Sequence, residues 1–573
     1  MRGRTHGVKR PADPVGACAR VPPPVTDATA PARSSGRGAT LVALGILASR
    51  VMGLVRQRVF AHYLSTSALA GAFTAALRIP NVLQNLFGEG VLSASFIPVY
   101  ARLLGEGRRE DADRVAGAVF GLLSLLVAVL VALGIFAAPW IVGVVVGGFA
   151  ETGPAAFAKA VQLTRILFPS TGLLVLSAWC LGVLNSHRKF FLSYAAPVVW
   201  NLAQIAVLLV AGPRVDEDRL TTLLAWGVVA GSALQLLVQL PVLWPLLGRF
   251  RPSLETTSAA MRAVLKGFLP ILVARGVVQV SALVDTYYAS LISPETVAVL
   301  GYTQLLALLP VSLFGMSVSA AELPELARET ALGPEAAERL RKRIDRGLER
   351  IAFFVVPSAV AFLLLGDVLG GLLFQTGKFD AADTRWLWYL LMGSAVGLVA
   401  GTLGRLYASA FYALQDARTP LLFASIRVVL SAVLAYVSVR YGPGWFGVPV
   451  EIGAVGITAT TGFAAWLEYL LLRLALARRI GRTGIPTRRL AWFWGSALAA
   501  GTLALIGKVW LTTRAGPAPA LARFWGSQVL PAPALSPLLV AGLLVPVFGG
   551  VYLGLTALGG ASQLRTVLSR LRA

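Results

Sequence analysis

Arg50 and Arg56 stand six residues apart in an apolar stretch, with Gly53 between them. A guanidinium near the middle of a bilayer costs about 2.5–3.5 kcal/mol on insertion scales, so such a residue faces a watery cavity or a partner. Its planar fork of donors suits a phosphate or carboxylate, which it grips through parallel hydrogen bonds. Six residues of helix separate the two by about 9 Å along the axis and about 120° around it, so one ligand meets both if the helix bends at Gly53. Arg58 follows closely, and snorkelling to the membrane interface is the competing role for it and for Arg56.

A second group lies just downstream. Arg78, Asn81, Asn85 and Glu89 fall within an arc of about 80° on a segment otherwise made of Leu, Ile, Val and Phe, which predicts one polar stripe on an apolar helix. Pro80 and the triplet Gly88-Glu89-Gly90 mark bends, and irregular backbone at membrane depth is tolerated where it lines a cavity. A carboxylate there needs a cation, and Arg50 or Arg56 on the preceding helix is the expected partner of Glu89, as a helix-locking pair, a gate or both. Farther on, Arg275 and Asp285 share a stretch but lie about 15 Å apart, too far to pair directly. Arg405, Arg427 and Glu468 occupy three more, and the last two are placed to pair across helices as packing glue. With three His, two Cys and no metalloprotease helix, phosphate loop or nucleophile elbow in a credible context, covalent chemistry is not expected and no catalytic residue or bound cofactor is assigned.

These residues need long apolar elements to hold them. Of 573 residues 56% are hydrophobic and 14% charged, against about 25% charged in soluble domains, which excludes a soluble enzyme. Apolar runs recur from Leu41 almost to the end, each divisible into spans of about 20 residues. Their continuity excludes a β-barrel, whose strands alternate. The sequence therefore reads as an all-α polytopic membrane protein of about 14 transmembrane helices, centred from Gly45 and Val82 to Ala500 and Val545.

The net charge of +24 raises nucleic acid as a partner, but the excess sits in alternate loops, so topology accounts for it and no nucleic acid is expected. Arg102, Arg108, Arg109 and Arg114 crowd one loop and Arg339, Arg341, Lys342, Arg343 and Arg346 another, whereas residues 62–68 and 293–296 hold no Lys or Arg. The positive-inside rule then places both termini in the cytoplasm and requires an even number of spans. Residues 1–38, rich in Arg, Pro, Ser and Gly, read as a disordered basic cytoplasmic tail rather than a signal peptide. Cys18 and Cys180 give no disulfide framework.

The chain also repeats itself. Leu86-Phe87-Gly88, Val91, Pro98 and Ala101-Arg102 recur as Leu313-Phe314-Gly315, Val318, Pro324 and Ala327-Arg328 at an offset of 227 falling to 226. Leu184-Asn185 with Arg188 pairs with Leu414-Gln415 and Arg418 at 230. Two six-helix lobes follow, residues 39–250 and 251–487, as a parallel repeat about an axis along the membrane normal, with two extra helices and a short cytoplasmic tail over 488–573. Chance likeness among apolar segments is the competing account.

The runs SRVMGLVRQRVF and LRIPNVLQNLFGEGVLSASFIPVYARLL, with LGVLNSHRKFFLSYAAPVVWN, LLPVSLFGMSVSAAELPELAR and FYALQDARTP, resemble the MurJ/MviN family of lipid II flippases in the multidrug/oligosaccharidyl-lipid/polysaccharide exporter superfamily. The likeness spans roughly residues 39–489. It implies two lobes around a central cavity, with the C-terminal helices forming a groove for a polyprenyl tail. It also implies alternating access that moves a polyprenyl-diphosphate-linked peptidoglycan precursor to the outer leaflet of the bacterial cytoplasmic membrane. Arg50, Arg56, Arg78, Asn81, Glu89 and Arg405 are the expected substrate-binding residues. Asp285 resembles a sodium ligand, with Ser431 and Ala435 where the eleventh span supplies polar partners; sodium or the membrane potential would drive transport. Membrane lipids and cell-wall synthesis proteins are the expected partners. Gln57 and Gly71 stand where many members have acids, and Gln84 and Leu305 where arginines are common, so a thinner cationic cavity is expected. The alternatives are an exporter of another polysaccharide-lipid or a drug, and a non-transporting cell-wall scaffold.

Overall fold

The computed structural model describes residues 36–560 apart from 317, 320–321, 323–333, 448 and 514–535. The tail expected over 1–38 therefore lies, but for its last three residues, outside them. Each apolar centre in the sequence falls in its own helix. The first half holds α1 (Gly36–Leu64), α2 (Ala68–Phe87), α3 (Glu89–Gly105), α4 (Arg109–Phe136), the short α5 (Ala138–Val146) and α6 (Phe149–Thr152), α7 (Pro154–Ser186), α8 (Phe190–Ala211) and α9 (Glu217–Leu243). The second holds α10 (Ala259–Ser290), α11 (Pro294–Pro310), α12 (Pro334–Phe374), α13 (Ala381–Ala413), α14 (Arg418–Phe446) and α15 (Gly453–Ile480), followed by α16 (Thr487–Thr513) and α17 (Pro537–Leu558). Among the described residues, 11 helices are long and apolar enough to cross a membrane. The expected spans outside that number fall on α1, the α2–α3 pair and α10, which carry Arg50, Arg56, Arg78 and Asp285. In α2 itself, Arg78, Asn81, Gln84 and Asn85 lower the hydropathy.

The two halves repeat each other's neighbours. In the first, α7 packs on α2, α4 and α9, and α8 on α1 and α9; in the second, α13 packs on α11, α12 and α15, and α14 on α10 and α15. This is the pattern of a parallel repeat. The register of one motif pair needs correcting. Arg188 and Gln415, 227 residues apart, both take a positive φ (60° and 58°) just after α7 and α13, so the offset at these turns is again 227 and not 230. At 227 Gly88 also corresponds to Gly315, and helical geometry is interrupted at both: Gly88 (φ −89°, ψ −141°) separates α2 from α3, and a π-helical turn, Val311–Met316, follows α11. The bend expected at Gly88 is thus a break between two helices.

Lipid is as apolar as a leucine side chain, so helices in a membrane gain by close packing of small residues rather than by a hydrophobic drive. Gly393 and Gly397 do this for α13, where a Cβ on Gly397 would come within 2.3 Å of Gly462 Cα on α15. The lobes meet in the same way at the α1–α2 end: a Cβ on Gly71 would lie 1.9 Å from the Pro294 carbonyl oxygen on α11. Polar clasps reinforce that end. His62 Nδ1 lies 2.9 Å from Thr376 Oγ1, the Lys378 N–H donates to the His62 carbonyl at 2.9 Å, and Ser65 and Thr66 both donate to the Asp383 carboxylate. Asp383 also closes a capping box with Asp380 at the start of α13.

The two C-terminal helices dock on α12. Tyr552 of α17 donates to the Phe353 carbonyl at 2.6 Å. α12 kinks at Leu365 (φ −128°, ψ 17°), and Trp388 Nε1 donates to the Leu363 carbonyl at 3.1 Å. Beside the kink, Lys508 of α16 pairs with Asp367 at 2.5 Å.

A two-arginine cleft between the lobes

The two α1 arginines, Arg50 and Arg56, do not share one pocket. α1 runs unbroken past Gly53 and presents them to two cavities. A cavity of about 410 Å³ is lined by Arg56 and Gln57 of α1, Arg78 and Asn81 of α2, and Gln204 of α8, and is closed by Gln304 and Leu305 of α11. A second, of about 520 Å³, lies within the first lobe, with Arg50 on its wall.

In the smaller cavity Arg56 Nη1 donates to Gln204 Oε1 at 3.1 Å, and the guanidinium carbon sits 4.8 Å from the centre of the Trp200 ring, a cation–π contact. Arg78 reaches across the lobe boundary: Nε donates to Thr286 Oγ1 at 3.2 Å, and Nη2 to the Ala282 carbonyl and to Gln304 Oε1, all on α10 and α11. All these acceptors are neutral, and neither arginine forms an ion pair among the described residues. Arg50 also crosses, donating to Ser312 Oγ at 3.2 Å in the π-helical turn. Arg58 donates to the Leu372 and Leu373 carbonyls at 2.7 and 3.0 Å, tying α1 to the end of α12 instead of snorkelling.

Of the expected site, Arg56, Arg78 and Asn81 are brought together and Arg50 lies in the neighbouring cavity. Arg405 lines neither; it lies in the electrostatic field of the ion pair that Arg427 Nε makes with Glu468 at 3.0 Å. That pair is the packing contact expected from the sequence. Glu89 begins α3 at the break, and its side chain, like that of Arg275, lies outside the described residues. Asn85 lines neither cavity. The residues that sequence reasoning passed over are the amides Gln204 and Gln304 and the Trp200 platform. Their signal is present in the sequence: an amide in an apolar span is costly unless it is hydrogen-bonded.

A sodium ion was implied at Asp285. Its carboxylate accepts a hydrogen bond from Thr461 Oγ1 at 3.1 Å and lies in the fields of Arg78 and Arg427. Ser431 turns its hydroxyl to the Val428 carbonyl of its own helix, and Ala435 has no donor atom in its side chain. Hard cations take a shell of several oxygens. One carboxylate facing two guanidiniums does not supply it, so these residues do not fit sodium; among the described residues no group of three or more His, Cys, Asp or Glu could hold a metal.

Fold and site together define a multi-pass helical membrane protein whose two lobes enclose a cationic cleft at membrane depth. The family model for lipid II flippase MurJ matches residues 60–518. The lipid II flippase MurJ of Burkholderia cenocepacia is 33% identical over 438 residues, 76% of this chain and 82% of that protein. The chain belongs to the lipid II flippase MurJ family. Among solved structures, a lipid II flippase MurJ in an inward closed conformation superposes with a TM-score of 0.68 at 21% identity, covering 90% of this chain and 98% of the other. An inward-facing multidrug resistance transporter of the MATE family, itself of the MOP superfamily, gives 0.59 at 16% identity, covering 77% of this chain and 98% of the other. At these identities both likenesses speak to the fold alone.

Proposed function

We propose that the chain moves a polyprenyl-diphosphate-linked sugar of the lipid II class from the inner to the outer leaflet of the bacterial cytoplasmic membrane, with both termini in the cytoplasm. One observation carries the reading: Arg56 and Arg78 line the same cleft, and neither has a carboxylate partner among the described residues. Two half-buried guanidiniums share the cleft without an ion pair, and the field of the Asp285 carboxylate offsets only part of their charge, so a ligand that brings negative charge is favoured there. A diphosphate does this, and guanidinium forks match its oxygens. A cationic drug would meet repulsion in the same place.

Alternating access follows from which bonds the ligand replaces. The guanidinium of Arg78 is spent on acceptors of the opposite lobe, as is that of Arg50. An anion that recruits Arg78 withdraws it from α10 and α11, loosening one lobe–lobe contact as the substrate seats. The headgroup crosses inside the cleft while its tail stays in lipid. The gradient that sets the direction is expected to be the membrane potential, since Asp285 lacks a cation shell.

The test is binding to purified protein in detergent. Polyprenyl diphosphate should bind tighter than polyprenol, and Arg56→Ala and Arg78→Ala should each remove most of that preference, with Lys restoring part of it. Equal affinity for the two lipids, or an unchanged preference in both Ala variants, overturns the reading.

A further inference from the structure

Asp285 stands half-buried on α10, outside the walls of both cavities, in surroundings that do not suit sodium. A carboxylate at membrane depth is costly unless a cation answers it, so its role turns on which cation does. Two guanidiniums act on it, Arg78 of α2 and Arg427 of α14. Arg427 is already paired with Glu468 of α15 at 3.0 Å, inside the second lobe. Arg78 comes from the first lobe, and its hydrogen bonds go to neutral acceptors.

Those bonds set Arg78 against the turn of α10 that carries the acid. Its Nε donates to Thr286 Oγ1 at 3.2 Å and its Nη2 to the Ala282 carbonyl at 3.4 Å, one residue after Asp285 and three before it. Thr286 Oγ1 donates to the same Ala282 carbonyl at 2.9 Å, which fixes the two acceptors relative to each other. On α15, Thr461 Oγ1 donates to Asp285 Oδ1 at 3.1 Å and holds the carboxylate in place. Arg78 therefore borders the cleft while resting on a turn of the opposite lobe that bears a fixed negative charge.

A cation shared by two anions binds each less tightly than it would bind one alone, because the anions repel each other. An anion entering the cleft gains from Arg56 and Arg78 and loses to Asp285. The loss is useful, since a site that passes its ligand on must hold it firmly enough to load and weakly enough to release. Two arginines with no acid behind them would hold a diphosphate too well.

We propose that Asp285 is a positioning residue that acts through Arg78: a resident counter-anion that competes with the ligand's phosphate oxygens for this guanidinium and keeps the grip of the cleft loose enough for release. This rests on the diphosphate reading above. It gives the acid a task that needs no metal, and it forecasts the opposite of what a cation ligand would show, because removing the charge strengthens binding.

The experiment measures the affinity of the purified full chain for polyprenyl diphosphate and for polyprenol. Asp285→Asn keeps the shape of the side chain and an oxygen for the Thr461 hydroxyl while removing the charge. It should bind polyprenyl diphosphate about tenfold tighter than the wild type does, the order that one like charge contributes in a partly buried site, and polyprenol with wild-type affinity. Polyprenyl diphosphate should also raise the melting temperature of Asp285→Asn by more than it raises that of the wild type. In liposomes the same variant should carry saturating lipid severalfold more slowly, so that binding and transfer move in opposite directions, as a merely structural role would not make them. Asp285→Ser, which is shorter and also neutral, should act in the same direction. Affinity for the diphosphate lipid that is unchanged or weaker in both variants, a gain that polyprenol shares, or transfer at the wild-type rate despite tighter binding overturns the counter-anion. Equal affinity of the wild type for the two lipids would sink the cleft reading instead, so the two failures are told apart.

Discussion

Replacing Lys508 with Met removes the cation from a pair in which Nζ lies 2.5 Å from Asp367 Oδ2 and 4.7 Å from the centre of the Trp388 ring. Lys508 is 7% exposed, and the other carboxylate oxygen, Asp367 Oδ1, has no hydrogen-bond partner among the described residues. The carboxylate would be left buried without compensation beside the kink in α12. Breaking a buried pair from one side costs about 3–5 kcal/mol, whereas replacing both partners with apolar residues of similar volume is often neutral or better. Thermal unfolding in detergent should therefore show Lys508→Met melting lower by roughly 5 °C or more, at about 2 °C per kcal/mol for a large domain. Asp367→Leu should behave similarly, since it strands the ammonium. The double variant should return to within about 1 kcal/mol of the wild type, a coupling that only contacting residues show. If Lys508→Met melts with the wild type, or the double variant falls by the sum of the singles, the pair does not hold α16 to α12 and the reasoning fails.

Asp383→Ala removes the N3 side of the capping box, which accepts the Asp380 N–H, along with the anchor for Ser65 and Thr66, so a cysteine placed at Thr376 should react faster with an impermeant maleimide; unchanged labelling refutes the clasp. Asp416, in the loop between α13 and α14, is held down to about 2 by the Thr419 hydroxyl, then the Thr419 N–H, with Arg479 adding to both. A depressed carboxyl pKa stabilises the fold above its unfolded value near 4 and loses that contribution as pH falls toward 2. Asp416→Asn should then flatten the acid side of the melting curve between about pH 4 and 2, and a curve parallel to the wild type would contradict this. Transport in choline buffer should match that in sodium buffer, and a severalfold fall without sodium would restore Asp285 as a cation ligand.

Much of this was readable from the residues, and the exceptions have physical causes. Continuous apolar runs fixed where helices lie, because a backbone in lipid has few ways to satisfy itself. Hydropathy is weak in α2, where Arg78, Asn81, Gln84 and Asn85 interrupt the apolar run. Of the polar stripe of α2, Arg78 and Asn81 line a cavity and Asn85 lines neither. What the stripe could not show was that α1 stays one continuous helix through Gly53, with Arg50 and Arg56 on different cavities. Arg58 looked free to snorkel because its acceptors, the carbonyls ending α12, lie more than 300 residues away. The motif offset of 230 failed because Arg and Leu recur often in such a sequence, whereas the left-handed turns at Arg188 and Gln415 depend on backbone geometry. Gly71 likewise reads as a missing acid until the Pro294 carbonyl is seen against it.

The most direct measurement places the purified chain in liposomes carrying fluorescent lipid II and follows, with a membrane-impermeant quencher, the fraction of label that changes leaflet. Wild-type protein should raise the transfer rate well above that of empty liposomes, and Arg56→Ala and Arg78→Ala should each bring it near that background while reconstituting equally well. Transfer indistinguishable from empty liposomes under an imposed membrane potential, or full transfer by the protein lacking both arginines, would contradict the claim that this cleft carries a diphosphate lipid across the membrane.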